Sequence, residues 1–446
     1  MIRIIDKESI CDFKSMHPSM SLRDAVCEAE RCLLCEDAPC SKGCPAGTDP
    51  GKFIRQIKFK NIKGAARTIR NNNILGSTCA HICPTDKLCE MNCSAMKLEA
   101  PINISALQKF AIEYGRQNNL EKLESSSGSG KKVAVIGAGP AGLSTAYELA
   151  KKGHSIEIFE KEKMAGGVPA WNIPEFRLPA DEIAQDIGKL RDLGVIIHTN
   201  QHINTLEEVD KLKSEFDALV VATGLNKAFG LNVFQDAENV TDYMTWLKKI
   251  KFSNSEMKTS VANKRIAVVG GGSVAVDCCV SAKALGAAKV YMISLEEGDD
   301  LPADKEEIRL AQRMNVIFKS SSMIKSIDMK DGKVSLLRGM EIAWKEPENF
   351  NPSNATEVEG TDFSIPVDYV VQAIGTKPDY YNLFSELKLG PKSCFVAEGD
   401  EKMWASSGCT FAVGDVVNGG ATVVRAVGEG KKLAEHIDKF LARGEI

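Results

Sequence analysis

The stretch KKVAVIGAGPAGLSTAYELAKKGHSIEIFEK, residues 131–161, decides the fold. Its apolar, β-branched start reads as a buried strand, and Gly137, Gly139 and Gly142 form a turn. A helix follows, then a second strand, SIEIFEK, that ends in an acid. A bare G-x-G-x-x-G says little, but here strand, turn, helix and second strand are all in place. The first glycine makes the tight turn, the second lets backbone approach a pyrophosphate, and the third lets helix and strand pack closely. The pyrophosphate then rests on the helix N-terminus, beside Pro140 and Ala141. Glu160, about 18 residues past Gly142, is placed to accept from both ribose hydroxyls, with Lys161 next to it. A βαβ unit without a ligand is the plainer alternative and accounts for less of the pattern.

The pattern recurs. KRIAVVGGGSVAVDCCVSAKALGAAKVYMISLEE, residues 264–297, sets Gly270, Gly272 and Ala275 in the same strand–turn–helix frame, with Ser273 and Val274 opening the helix. Between the two copies, FDALVVATG (216–224) reads as a buried strand ending in a tight turn. VDYVVQAIGTKPD (367–379) resembles it, with Ala373, Ile374 and Gly375 at the turn. The expected class is therefore α/β, with two Rossmann-like nucleotide-binding domains, one inserted in the other. The chain closes with CTFAVGDVVNGGATVVRAVGEGKKLAEHI: a strand running to Gly414 and Asp415, then a helix from about Thr422. Asp415 at a strand end suits a polyol chain; on spacing alone it is equally an N-cap or turn residue.

Ahead of these folds the sequence turns helical and rich in cysteine. SLRDAVCEAERCLLC has apolar residues at helical spacing with Ser21 as N-cap, and DPGKFIRQIKFKNIKGAARTIR and ISALQKFAIEYGRQ continue that character. SSSGSG (125–130) reads as a flexible linker to the first nucleotide fold. Cysteines fall as C-x2-C-x4-C-x3-C (Cys32, Cys35, Cys40, Cys44) and C-x3-C-x5-C-x3-C (Cys79, Cys83, Cys89, Cys93). Soft thiolates select zinc, copper(I) or iron–sulfur clusters. Structural zinc usually takes paired C-x2–4-C knuckles, which the second run fits poorly. Cysteine before proline, as at Cys44 and Cys83, fits cubane ligation, where the last cysteine of a run can serve the other cluster.

Bulk properties narrow the class. With 43% hydrophobic and 26% charged residues the composition is that of a soluble globular protein. A net charge of −4 offers no field for nucleic acid or acidic lipid. No apolar run reaches the roughly 18 residues of a membrane span. The start, MIRIIDKESICDF, lacks the apolar core of a signal peptide. Ten of the 14 cysteines lie before residue 94, as expected of a reducing cytoplasm where thiols stay available to metal.

Two glycine folds, the ATG and GD signatures and a cysteine-rich helical front resemble, over essentially the whole chain, the flavoproteins that include the glutamate synthase small subunit and the N-terminal half of dihydropyrimidine dehydrogenase. CLLCEDAPCSKGCPAGTDPGKFIR, CPTDKLCEMNC, APINISALQKF, IPEFRLP and FAVGD carry the resemblance. It implies an α-helical iron–sulfur domain with two [4Fe-4S] clusters over 1–124. An FAD-binding domain is implied over 131–243 and 368–446, and an NAD(H)-binding domain over 244–367. It implies Cys32, Cys35, Cys40 and Cys93 on one cluster, and Cys44, Cys83, Cys89 and Gln108 on the other, leaving Cys79 spare. The glutamine in INISALQ points to the pyrimidine branch, since the glutamate synthase branch tends to carry glutamate there. By the same resemblance Glu160 takes the adenosine ribose, Gly166 and Gly167 lie close to the flavin, Asp415 holds the ribityl or pyrophosphate, and Arg177 of IPEFRLP lies near the flavin; a surface ion pair is the alternative for Arg177.

The second fold is then the nicotinamide site. NADPH-using relatives place a basic pair after its second strand, whereas here stand Glu296, Glu297, Asp299 and Asp300, which predicts NADH. The implied chemistry is an NAD(H)-dependent oxidoreductase, with hydride transfer to flavin and single electrons onward. No terminal catalytic residue is identifiable. The resemblance implies a hetero-oligomer with an FMN/iron–sulfur catalytic subunit of the dihydropyrimidine dehydrogenase type, without nucleic acid or membrane. A glutamate synthase small subunit is the alternative. A thioredoxin reductase is disfavoured because Cys278 and Cys279 are adjacent on a helix, and intact cofactor motifs argue against a zinc-stabilised scaffold.

Overall fold

In a computed structural model the described residues are 15–443 apart from 17, 121–122, 124–125, 347–348, 380, 391–392 and 398–402. The N-terminal reading MIRIIDKESICDF lies outside them.

The front of the chain is a helical unit. It comprises α1 (Leu22–Glu30), α2 (Pro39–Lys42), α3 (Pro50–Lys58), α4 (Ile62–Asn72), α5 (Gly76–Ile82) and α6 (Ile104–Gln117). Side chains close the starts. Ser21 accepts from the Asp24 amide, Asp49 from Lys52, Asn61 from Gly64 and Asn103 from Ala106, each satisfying an otherwise orphan donor. Phe53, Ile54, Ile57, Ile69, Leu107 and Ile112 are fully buried between these helices, each stabilising by about 1.5–3 kcal/mol. Cys32, Cys40 and Cys93 pack on the edge of this core and Cys89 lies within it.

Two largely parallel sheets follow, the first with one antiparallel edge strand. The first is built from β1 (Lys132–Ile136), β2 (Ser155–Phe159), β3 (Ile196–His198) and β4 (Ala218–Val221). Its helices are α7 (Pro140–Lys151), α8 (Val168–Trp171), α9 (Ala180–Asp192) and α10 (Leu206–Glu215). The chain then leaves through β5 (Lys227–Ala228) and builds a second unit from β6 (Val240–Asp242), α11 (Tyr243–Phe252), α12 (Asn254–Val261), β7 (Arg265–Val269), α13 (Ser273–Ala284), β8 (Lys289–Ile293), α14 (Lys305–Arg313) and β9 (Ile317–Lys319). An antiparallel patch, β10 (Ser322–Lys330), β11 (Lys333–Trp344), β12 (Ala355–Glu357) and β13 (Phe363–Pro366), covers it before β14 (Tyr369–Gln372). The chain returns through β15 (Thr376–Lys377) to β16 (Trp404–Ser407), β17 (Thr410–Val413), α15 (Asp415–Asn418) and α16 (Val423–Arg443). Strand orders are β16-β17-β4-β1-β2-β3 and β6-β14-β7-β8-β9. The second sheet thus lies wholly between β4 and β16 in sequence, one nucleotide fold inserted in the other. The crossing segments β5 and β15 pair with each other.

Two expectations need correction. The strand at 369–372, counted with the first fold from its likeness to 216–224, pairs in parallel with β7 and β6 of the second sheet. The likeness reflects equivalent positions, since β4 flanks β1 as β14 flanks β7. The Gly/Ser segment is docked rather than free: the Ser126 and Ser129 amides donate to the Lys151 and Gly153 carbonyls, at 2.9 and 2.8 Å, capping the end of α7. Ser125 lies outside the described residues. Among the described residues no helix is long and apolar enough to cross a membrane.

Candidate functional site

The first glycine turn opens onto a cavity of about 990 Å³, lined by Gly137, Gly139, Pro140, Ala141, Glu160, Lys161, Gly167 and Asp415 of the first fold and by Val274 and Gln372 of the second. Gly137 has φ +103°, and a Cβ there would lie 2.5 Å from the Ala222 carbonyl oxygen. A Cβ on Gly142 would lie 2.2 Å from the Gly137 carbonyl oxygen, so the turn excludes side chains at both positions. Gly139 by contrast meets nothing within 4 Å, leaving backbone open to the cavity. It caps α7 with no side-chain hydrogen bond, so the first amides of that helix are available to an anion. A Cβ on Gly167 would meet the Gly139 Cα at 2.8 Å, which brings Gly166 and Gly167 against the same turn.

The carboxylates are constrained. Both Glu160 oxygens accept from backbone, from Ala138 at 2.8 Å and Glu162 at 2.9 Å, while burial pushes its pKa up. Asp415 opens α15 after Gly414 (φ +80°), accepts from the Ala421 amide at 3.1 Å, and is pushed up to about 6 by burial. It is therefore both a turn residue and a cavity-lining acid. Thr223 Oγ1 and Asn226 Oδ1 are buried at the wall with no hydrogen-bond partner among the described residues, which fits a polar ligand. Trp171, Lys248 and Tyr243 also line the cavity, with the Lys248 ammonium 4.3 Å from the Trp171 ring centroid. No periodicity or motif singles these residues out.

Arg177 is not among the lining residues. Its guanidinium binds Asp277 at 2.8 and 3.0 Å and Glu307 at 2.6 Å. The IPEFRLP segment is thereby tied to α13 and α14 by a largely buried ion network, not a surface pair.

The second glycine turn repeats the first. Gly270 has φ +140°, and its Cβ would lie 2.3 Å from the Ala373 carbonyl oxygen, while Gly272 meets nothing within 4 Å. Ser273 accepts from the Asp304 amide at 3.3 Å. Ala373 donates to Val269, Ile374 packs against the core beneath the sheet, and Gly375 (φ +102°) accepts from Phe229. Glu296 Oε2 stands 2.9 Å from where a Cβ on Gly271 would be, so a carboxylate overhangs this turn.

The thiols gather in two groups, and none of the described cysteines is in a disulfide. Cys32, Cys35, Cys40 and Cys93 line one cavity, with Gly51 and Ile54 of α3 in its wall. Cys40 is pushed up to about 11, by burial first and then by Cys93 and Cys32. Cys83 is raised by burial and by Cys79, Cys89 and Cys44 in turn, which places Cys79 beside the second group. Cys79 is fully buried and pushed up to about 12. Packed thiols that resist ionisation in dry surroundings are what a soft metal reverses by binding the thiolate, so the donor set fits a cluster. Among the described residues no three His, Cys, Asp or Glu side chains are arranged to hold a single metal ion. Gln108 is buried on α6 and donates its amide nitrogen to the Gly76 carbonyl at 2.7 Å, which fixes the amide. Cys278 and Cys279 are buried within α13 and raised by burial, unlike a redox-active pair.

The second thiol group backs onto the first fold. Cys44 and Cys83 pack against its core, and a Cβ on Gly428 of α16 would lie 2.2 Å from the Pro45 carbonyl oxygen. The Lys431 ammonium donates to Ala46 and Asn72 at 2.8 and 2.6 Å. Val423 and Ala426, one turn earlier on the same helix, line the large cavity. A buried Arg70–Asp186 pair at 2.6 Å, with Thr78 donating twice to Asp186 at 2.9 Å, clamps the helical unit to α9.

Known proteins agree with this layout. The family described as dihydropyrimidine dehydrogenase domain II, 4Fe-4S cluster, matches residues 9–120, and pyridine nucleotide-disulphide oxidoreductase matches 131–430. The NAD-dependent dihydropyrimidine dehydrogenase subunit PreT of Escherichia coli K12 is 35% identical over 95% of this chain and 96% of its own. The beta subunit of the NADP(+)-dependent formate dehydrogenase of Moorella thermoacetica is 32% identical over 91% of this chain and 60% of its own. Among solved structures, Mycobacterium tuberculosis FprA aligns over 70% of this chain and 85% of its own, with a TM-score of 0.58 and 13% identity, a likeness of fold.

Proposed function

This chain belongs to the NAD-dependent dihydropyrimidine dehydrogenase subunits, and from that premise we propose that it is the electron-input subunit of a hetero-oligomer, taking electrons from NADH for a partner that reduces uracil or thymine. The observation that carries the reading is the single cavity walled by both glycine folds, with the second thiol group directly behind α16. When bound, NADH supplies a hydride, FAD accepts the pair and releases electrons singly, and iron–sulfur clusters carry them on.

The chain's own residues bind, orient and insulate. The α7 amides hold the FAD pyrophosphate, Glu160 accepts from the adenosine ribose through its remaining lone pairs, and Asp415 accepts from the ribityl chain or faces the pyrophosphate. Gly166 and Gly167 let backbone approach the ring, with Trp171 and Lys248 closing that side. The α13 amides after Gly272 hold the nicotinamide cofactor's pyrophosphate, and Glu296 accepts from a free adenosine ribose while repelling a 2′-phosphate. Cys32, Cys35, Cys40 and Cys93 hold one [4Fe-4S] cluster; Cys44, Cys83, Cys89 and Gln108 hold the other, with Cys79 as a buried neighbour. The partner is an FMN/iron–sulfur catalytic subunit of the dihydropyrimidine dehydrogenase type, and the compartment is the cytoplasm.

Anaerobic preparation with the partner tests this. Iron, sulfide and flavin counts on this chain alone should show two clusters and one FAD, and with the partner added NADH should bleach the flavin and drive uracil or thymine reduction. Zinc without sulfide, or a flavin that NADH leaves oxidised, overturns it; NADH-driven use of 2-oxoglutarate and glutamine in place of pyrimidine moves the partner to the glutamate synthase type.

A further inference from the structure

The helical unit has a charge asymmetry that cofactor binding leaves unused. Between Asp49 and Asp86 the sequence holds seven lysines and arginines and no acidic residue. The chain as a whole has 56 basic against 60 acidic residues, so the remainder holds 49 against 60, a net of −11. Two of the seven turn inward: Lys58 donates to the Glu30 and Cys32 carbonyls at 3.2 and 3.1 Å, and Arg70 pairs with Asp186. The other five, Lys52, Arg55, Lys60, Lys63 and Arg67, are exposed on α3, α4 and the turn between them, and no ion pair links them to any other described residue. Phe59, at that turn, is 68% exposed.

Like charges three and four positions apart on one helix repel, as Lys63 and Arg67 do here, so folding alone does not account for them. An acidic surface laid against them neutralises the repulsion and speeds encounter, and an exposed aromatic amid cations is the usual anchor of such a contact. Location narrows the occupant. Gly51 and Ile54 on the same helix α3 line the cavity of Cys32, Cys35, Cys40 and Cys93, and Lys58 holds the Cys32 carbonyl. A macromolecule seated on this face lies beside the thiol group that is farther along the chain's route from the flavin cavity.

We propose that the α3–α4 face around Phe59 is the docking surface for the electron-accepting partner chain, which presents an acidic surface around its own redox centre. The proposal rests on the electron-input reading and adds to it the exit side. Electrons enter at the nucleotide folds and leave past the Cys32 group.

The test uses the anaerobically reconstituted complex with the catalytic partner chain. A Lys60→Glu/Lys63→Glu variant and a Phe59→Ser variant are compared with the parent, with iron content and circular dichroism as checks of folding. The charge reversal should raise the half-saturating partner concentration at least tenfold and flatten its dependence on salt. NADH should still reduce the variant's own clusters to the parent level by electron paramagnetic resonance. A zero-length carbodiimide should join Lys60 or Lys63 to partner carboxylates. Unchanged half-saturation with normal cluster reduction overturns the docking face and leaves the electron-input reading intact. So does intact partner kinetics with lost binding to duplex DNA or phosphatidylserine vesicles, which would assign the face to a polyanion. Failure of NADH to reduce the parent's clusters overturns the electron-input reading and this proposal with it.

Discussion

At the scale of single residues, the proposed preference for NADH over NADPH rests on Glu296. Its carboxylate overhangs Gly271 at the second glycine turn. A 2′-phosphate brought there meets like charge, and a free ribose meets an acceptor. Glu296→Arg should shift the ratio of kcat/KM for NADPH over NADH upward by about 10–100-fold, the size of a 1.4–3 kcal/mol change in relative binding. A ratio within twofold of the parent in steady-state kinetics refutes the assignment. Asp415 gives a pH dependence. Burial raises its folded pKa to about 6 against an ordinary 3.8, so the folded state favours the protonated form. Its contribution is therefore fully present at low pH and is lost as pH rises from about 4 through 6. In the flavin-free chain Asp415→Asn, which keeps an acceptor for the Ala421 amide, should raise stability at pH 8 by up to about 3 kcal/mol and change little at pH 4. Chemical denaturation at the two pH values reads the difference, and equal effects at both would contradict it.

Elements were legible to different degrees, and the reasons are physical. The glycine turns could be read because sterics leave no other residue: a Cβ at Gly142 or Gly270 would overlap a carbonyl oxygen. The Ser21 cap and the helices around it follow from apolar spacing. The strand at 369–372 was read into the wrong sheet because its sequence encodes burial and a tight turn, and both sheets have such a strand beside the first one. The ion network of Arg177 was not legible because its acidic partners lie about 100 residues and more away in sequence, beyond any local pattern. Trp171, Lys248 and the unpartnered Thr223 and Asn226 were not legible for the same reason, since only the folded cavity brings them together. One contact between elements can be tested directly. Gly428 lets α16 touch the Pro45 carbonyl, and a methyl group there overlaps that oxygen at 2.2 Å. Gly428→Ala should wedge the thiol loop from the flavin side, slowing NADH-driven cluster reduction at least tenfold in stopped-flow while flavin bleaching keeps its rate. Parent-like cluster reduction would mean that electrons do not cross at this contact.

At the scale of the whole molecule, three units must hold register while the nicotinamide fold hangs on two crossing strands, β5 and β15. Charged ties reinforce that connection. Arg177 reaches from the first fold to Asp277 and Glu307 on the second, Lys248 of the second reaches Glu162 of the first at 2.9 Å, and Lys87 of the thiol loop reaches Asp304 at 3.0 Å. Of these the Arg177 network is the most buried. Removing the cation leaves two carboxylates facing each other in a dry site, which costs about 3–5 kcal/mol when one partner of a buried pair is lost. Arg177→Met keeps much of the volume and removes the charge. It should lower the thermal midpoint and raise KM for NADH several-fold, because the second fold no longer sits firmly over the first. Flavin content per chain and cluster reduction by dithionite should stay at parent values, since the residue does not line the cavity. Adding Asp277→Asn should restore part of the stability by removing one of the two stranded charges. A guanidinium in contact with the flavin predicts the opposite pattern: lost or spectrally shifted flavin with an unchanged KM for NADH. Absorbance spectra and NADH kinetics on one preparation therefore decide whether Arg177 holds a cofactor or holds two domains together.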